Sequence, residues 1–169
     1  MKVAEAPIIL TVLDRLLGED LDDRGFRLRG REHSVARHRA AVARDLEWLL
    51  NTRRTPDEAP EDFPETRESV YHYGIPDLQH MGGESGVVRR ALAREIKDAV
   101  QTFEPRLSQV RVAWVSQDEE GEEGSDKHRL RFRIDAILLM DPEPERVSFD
   151  AILDKVQGDI TVQRSGDAG

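Results

Sequence analysis

Two carboxylates are the first candidates for chemistry, because each lies in an apolar setting. Glu47 lies in a run of leucine and tryptophan residues, and Glu104 lies between Phe103 and Pro105. A glycoside hydrolase needs two carboxylates at a defined separation, one of them kept protonated by a dry environment. Each residue also has a structural interpretation: Glu47 fits the polar face of an amphipathic helix, and Glu104 fits a helix-end partner of Arg106. The second interpretation predicts a fixed bidentate pair if the two side chains are buried.

Other patterns typical of catalysis or ligand binding are missing from the sequence. The chain has no cysteine, which excludes disulfides, thiolate metal sites and a cysteine nucleophile. It also has no nucleophile elbow, phosphate-binding loop or dinucleotide fingerprint. The histidines lack the spacing that places two imidazoles on one metal; they are His33, His38, His72, His80 and His128. We therefore expect no metal and no cofactor.

The charge balance limits the classes of partner. Among 169 residues, 34 acids against 25 Lys and Arg give a net charge of -9, so the whole molecule is expected to repel nucleic acid and anionic lipid. The stretch from Arg24 to Arg54 reverses this balance with nine Arg and three acids. Phe26 and Trp48 are too few for the stacking surface of a single-stranded nucleic-acid binder. A contact with an acidic protein partner, or with the chain's own acidic loops, is the simpler interpretation.

No secretory or membrane-spanning segment is expected. The apolar residues 8–13 follow Glu5 and precede Asp14 and Arg15, without a small-residue cleavage site. No apolar run approaches the roughly 20 residues that span a bilayer. Together with the absence of cysteine, this favours a cytoplasmic location.

Three segments have the spacing of amphipathic helices. Residues 9–17 predict a short N-terminal helix, with Pro7 in its first turn. Residues 34–51 predict a second helix with Ser34 as its N-cap, and residues 88–103 predict a third that Pro105 ends. The connection at residues 55–68 holds six acids and three prolines, so we expect it to be solvated and not helical.

The period of the pattern changes to two after the third helix. Residues 110–114 and 130–138 predict two strands, joined by an acidic tip at residues 118–126, and residues 147–150 and 160–162 predict two shorter strands. Helices followed by strands predict an α+β fold: a small single domain with two main helices on an antiparallel or mixed sheet, plus the N-terminal helix. We expect an N-terminal extension over residues 1–33, a domain over 34–164 and a disordered tail over 165–169.

Several short segments together resemble a known family. They are residues 13–16 (Leu-Asp-Arg-Leu), 46–53 (Leu-Glu-Trp-Leu-Leu-Asn-Thr-Arg), 73–78 (Tyr-Gly-Ile-Pro-Asp-Leu), 103–107 (Phe-Glu-Pro-Arg-Leu) and 147–150 (Val-Ser-Phe-Asp). In this order and spacing they are similar to the baseplate wedge family that contractile phage tails share with type VI secretion systems, and most similar to its TssE-like branch. Members of this family have long been labelled lysozyme-like.

The resemblance implies a structural protein without catalytic residues. Its implied partners are the wedge subunits TssF, TssG and TssK and the sheath proteins TssB and TssC, at a cytoplasmic baseplate docked to the inner-membrane complex. In the family, the Glu-Pro-Arg signature contacts the helical core bundle of neighbouring wedge subunits, which implies this role for Glu104, Pro105 and Arg106. The full set of implied partner-binding residues is Glu104, Pro105, Arg106, Glu47, Asn51, Arg53, Leu13, Leu16, Val147, Phe149, Ile160 and Val162.

Two further hypotheses concern how partners bind. An open sheet edge formed by residues 147–152 and 160–162 would let a sheath segment add to the sheet through main-chain hydrogen bonds. The N-terminal helix is either a cover for the core or a docking helix for wedge neighbours. Two other function classes stay open: a peptidoglycan hydrolase that uses Glu47 or Glu104 as its acid, and a regulatory binding module that forms a one-to-one complex with a soluble partner.

Overall fold

A computed structural model describes residue 16 and residues 31–56, 62–77, 86–115, 129–140 and 143–165. Within them, two helices precede four strands: α1 (Arg31–Asn51), α2 (Gly86–Phe103), β1 (Leu107–Val115), β2 (Arg129–Leu138), β3 (Glu145–Asp154) and β4 (Ile160–Arg164). The strands form one antiparallel sheet in the order β1-β2-β3-β4. The predicted α+β class is confirmed. The predicted N-terminal helix, apart from the exposed Leu16, and the predicted acidic tip lie outside the described residues.

Helix α1 buries an apolar stripe against the sheet. Val42, Leu46 and Leu49 are at most 2% exposed, as their helical spacing predicts. The helix begins at Arg31, three residues earlier than predicted, so Ser34 lies inside it and the N-cap prediction was wrong. The physical reason is that the residues directly before Ser34, at positions 31–33, tolerate helical geometry.

Helix α2 confirms the second main amphipathic pattern. Leu92, Ile96, Ala99 and Val100 are buried on one stripe. The helix ends at Phe103, because a residue directly before a proline disfavours helical backbone and Glu104 precedes Pro105.

The sheet completes the core through alternation of side chains. Phe132 and Ile134 of β2 and Phe149 and Ala151 of β3 are buried, in paired register across the two interior strands. Strand β3 is ten residues long, not the short strand predicted, because the alternation continues through Leu153. A β-bulge between Ser108 and Arg111 interrupts β1.

The connection before α2 contains regular structure that was not predicted. A short 3-10 helix, Pro64–Glu68, lies in the stretch that was expected not to be helical, and a second, Val70–His72, follows that stretch. Pro64 fits the first turn, where its missing N–H is not needed. Ser69 joins the two turns: its hydroxyl oxygen accepts a hydrogen bond from the N–H of Tyr71. One turn requires few favourable residues, so an acidic composition does not prevent it.

Candidate functional site

A network of charged side chains surrounds Arg106, directly after α2. Its Nε donates to Glu104 Oε1 at 2.6 Å, and its Nη2 donates to Glu104 Oε2 and, at 2.6 Å, to Asp45 Oδ2. Glu104 is only 4% exposed, whereas 23% of the Arg106 side chain is exposed and Pro105 is exposed. The predicted bidentate pair is therefore present, and it presents Arg106 and Pro105, but not Glu104, to the surface.

Asp45 extends this contact into α1. It accepts hydrogen bonds at 3.2 Å from Nε and Nη2 of Arg44, whose guanidinium lies 5.3 Å from the ring centroid of Trp48. Trp48 is 53% exposed. We call Arg44, Asp45, Trp48, Glu104 and Arg106 the exit cluster. Sequence reasoning missed Asp45 and Arg44 because only the fold brings a residue of α1 beside one that follows α2.

The pKa values of Arg106, in the exit cluster, and of the neighbouring Tyr73 are both raised. Burial lowers the pKa of Arg106, but the hydrogen bonds and charges of Glu104 and Asp45 outweigh it and raise this pKa above its ordinary value. The pKa of Tyr73 is raised by burial first and then by the charges of Asp45 and Glu104. Arg106 therefore stays charged and the Tyr73 phenol stays neutral well above neutral pH.

Glu47 and Asn51, both predicted partner-binding residues, contact the chain's own sheet instead of solvent alone. Asn51 Nδ2 donates to the carbonyl of Ile160 at 2.7 Å, and its Oδ1 accepts from the N–H of Ile160 at 2.8 Å. Glu47 Oε2 accepts from the N–H of Val162 at 2.8 Å. We call Glu47 and Asn51 with the backbone of Ile160 and Val162 the β4 clamp. In the clamp, the two side chains form hydrogen bonds with backbone groups of β4 that face away from β3. An edge strand would otherwise leave these groups without a partner in the chain.

Of the two segments predicted to form an open sheet edge, residues 160–162 belong to an edge strand and residues 149–152 do not. Strand β3 lies between β2 and β4, and its residues Val147 and Phe149 are buried. The predicted edge is therefore wrong for residues 149–152, because β3 pairs with β4 over Phe149–Leu153 as well as with β2. Strand β4 is an edge, but Ile160 and Val162 point their side chains into the core and their N–H groups into the β4 clamp.

The remaining predicted site residues are less engaged. Arg53 is exposed and lies 3.6 Å from Asp77 between Nη1 and Oδ2. Leu16 is 80% exposed, and Leu13 lies outside the described residues. The structure thus brings Glu104, Pro105 and Arg106 together and sets Glu47 and Asn51 apart from them on the β4 side of α1.

The segment at residues 73–76 is fixed by a close backbone approach. Gly74 has a φ of +108°, and a Cβ placed on it would lie 2.2 Å from the carbonyl oxygen of Thr52. Ile75 N–H donates to that oxygen at 3.0 Å, and Arg54 N–H donates to the Ile75 carbonyl at 2.8 Å. Only glycine fits here, so this segment holds the end of α1 in place.

Both carboxylates considered for hydrolysis accept hydrogen bonds from other groups of the chain. Both oxygens of Glu104 accept from Arg106, and an oxygen of Glu47 accepts from Val162. Within the described ranges, no group of three or more His, Asp or Glu could hold a metal ion. No helix in the described part of the chain is long and apolar enough to cross a membrane.

The sequence matches a known protein family. The family described as baseplate wedge protein gp25 matches residues 36–143, which is more than half of the chain. The chain belongs to this baseplate wedge family. No curated protein matches it.

The gp25 family membership gives a coarse function. The chain is a structural component of the baseplate of a phage-tail-like contractile machine, where it interacts with other baseplate components. The matched range includes all members of the exit cluster, and it ends before β3 and β4.

Proposed function

We propose that this gp25-family chain is the TssE-like wedge subunit of a type VI secretion baseplate. In this role it joins the wedge subunits TssF, TssG and TssK to the first ring of the TssB/TssC sheath, in the cytoplasm at the inner-membrane complex, and it acts without catalysis. The resemblance of the five sequence segments supports the secretion branch. The engaged state of Glu104 and Glu47 supports a role other than hydrolysis.

The observation that carries the proposal is the rigid presentation of Arg106. Two carboxylates from different elements hold its guanidinium, so its direction is fixed before any partner arrives. A partly exposed guanidinium beside an exposed proline and the exposed Trp48 offers side-chain types that are enriched at protein interfaces. Glu104 acts here as a positioning residue, because it is too buried to contact a partner.

A sheath strand can add to β4 only if hydrogen bonds within this chain break first. A partner strand can pair with β4 along Ile160 and Val162 only if Asn51 and Glu47 release these backbone groups. Strand addition at this edge therefore requires the β4 clamp to open. The wedge contact at the exit cluster does not require it.

The test is co-expression with the wedge subunits from the same gene cluster, followed by size-exclusion chromatography. The informative variant is Glu104→Gln/Arg106→Gln, which removes both charges together and leaves no buried carboxylate unpaired. Its matched control is Arg54→Gln/Glu95→Gln, which removes another ion pair, 3.1 Å long, between α2 and the segment that follows α1. Circular dichroism confirms that both variants are folded.

We expect the wild type and the control to co-elute with the wedge subunits, and the Glu104→Gln/Arg106→Gln variant to elute alone. Arg106→Lys should restore co-elution only in part, because lysine lacks the planar fork that two carboxylates hold. Co-elution of all variants would remove the exit cluster from the interface. Failure of the wild type would remove the wedge proposal, and degradation of peptidoglycan by the wild type but not by Glu104→Gln or Glu47→Gln would replace it with hydrolysis.

A further inference from the structure

A basic groove lies between α2 and β1. The residues of α2 that line it are different from those of the buried apolar stripe. The volume of the groove is about 600 Å³. Charged side chains of α2 form one wall, with four cations and one acid, and residues of β1 that include Trp114 form the other. The charged wall consists of Arg89, Arg90, Arg94, Lys97 and Asp98. We call this the α2–β1 groove.

The cations of the α2–β1 groove lie close together although like charges repel one another. Arg90, Arg94 and Lys97 follow the spacing i, i+4 and i+7, which places them on one face of the helix, where like charges repel. No carboxylate in the described part of the chain forms an ion pair with any of them, whereas Glu95 of the same helix pairs with Arg54. Within the described residues, a protein with a net charge of -9 thus keeps a face with more cations than acids here.

An aromatic side chain completes the groove. The guanidinium of Arg89 lies 4.3 Å from the ring centroid of Trp114, which is 37% exposed. The Nε of Arg89 is buried, and it has no hydrogen-bond partner among the described residues. The accessible donors of this guanidinium are therefore on its other nitrogens, Nη1 and Nη2.

We propose that the α2–β1 groove binds an acidic, extended segment of a partner protein. Carboxylates match the guanidinium groups of Arg89, Arg90 and Arg94 in charge and in planar geometry. The net charge of -9 and the single Trp of the groove disfavour nucleic acid, which needs a wider basic field and several stacking platforms. This surface is separate from the exit cluster, and the proposal does not depend on the secretion-system assignment.

The probe is a fluorescein-labelled octaglutamate peptide, and the readout is fluorescence anisotropy with the full chain. The test variant is Arg94→Glu/Lys97→Glu, which reverses two exposed charges of the groove. The matched control is Arg67→Glu/Arg146→Glu, which makes the same change in net charge at two exposed positions outside the groove. An oligothymidine of similar length serves as the competing ligand class.

We expect the wild type to bind the peptide, with an affinity that falls as salt rises from about 50 to about 200 mM. The Arg94→Glu/Lys97→Glu variant should bind the peptide about tenfold more weakly than the control variant. Both variants change the net charge equally, so the difference between them measures the charges inside the groove. In a Trp48→Phe background the peptide should also change the fluorescence of Trp114, the one tryptophan then left. Equal weakening in both variants, no binding by the wild type, or tighter binding of oligothymidine would each overturn the proposal.

Discussion

The polar side chains of α1 and the groove-lining cations of α2 are used in opposite ways. Helix α1 directs Arg39 to Glu145, Asp45 to Arg106, and Asn51 to Ile160, so its polar groups hold other elements of the fold. Helix α2 keeps Arg90, Arg94 and Lys97 on an exposed or groove-lining face without an ion pair in the described residues. The difference teaches that polar groups of α1 that lie against the sheet and the α2 exit are bonded within the chain, whereas solvated cations cost little to leave without an ion pair.

The largest effect should come from removing the buried carboxylate that completes the exit cluster. Glu104→Gln should lower the free energy of unfolding by about 2 to 3 kcal/mol, because a charge-assisted pair is replaced by a neutral amide at a buried position. Urea unfolding measures this loss. Glu95→Gln, within α2, is the control, and it should cost about 0.5 kcal/mol because its pair with Arg54 is partly exposed. Equal losses for the two variants would mean that burial of Glu104 does not matter.

The β4 clamp should matter for stability and for association. Asn51→Ala leaves the N–H and the carbonyl of Ile160 without their partner, which should cost about 1 to 2 kcal/mol. Analytical ultracentrifugation of Asn51→Ala/Glu47→Ala should also detect concentration-dependent association, because the β4 edge is then free to pair. Glu47→Gln keeps an acceptor for Val162 and should stay monomeric if the wild type is monomeric. Association of the wild type to the same extent would show that the clamp does not protect this edge.

Tyr73 provides a pH test of the same buried network. Its pKa is raised in the folded state, so the contribution of the neutral phenol to stability is fully present below pH 10.0, its unperturbed value, and is lost as the pH rises through the raised value. The melting temperature of the wild type should therefore fall above pH 10, and Tyr73→Phe should flatten this fall. In Tyr71→Phe the absorbance titration reports Tyr73 alone, since the chain has two tyrosines. A midpoint at or below 10.0 would contradict the burial of this phenol beside Asp45 and Glu104.

The smallest effect on stability should come from removing cations of the α2–β1 groove. Arg94→Gln/Lys97→Gln should change the free energy of unfolding by less than about 0.5 kcal/mol, or raise it slightly, because it removes like-charge repulsion on one helix face. Thermal and urea unfolding measure this. A loss as large as that of Asn51→Ala would show that these cations are structural, and it would end the contrast between the two helices.

The predicted fold depended on patterns that span few residues. The helical stripe of α2 and the alternation of β2 are local, and both appear in the structure as the sequence predicts. The start of α1, the 3-10 turns and the full length of β3 were missed, because each depends on weak local preferences that packing extends. The Glu104–Arg106 pair was foreseen, since the two residues are close in sequence.

The sequence by itself determined the α+β class, the exit of α2 at Glu104 and the family resemblance, because these follow from periodicity and from short motifs. Only the tertiary structure decided that Asp45 holds Arg106, that Glu47 and Asn51 occupy the β4 edge, and that Arg89 stacks on Trp114. Asp45 lies 61 residues from Arg106, and Asn51 lies 109 residues from Ile160. Contacts over such separations depend on how helices pack on a sheet, and no local pattern of residue types encodes them.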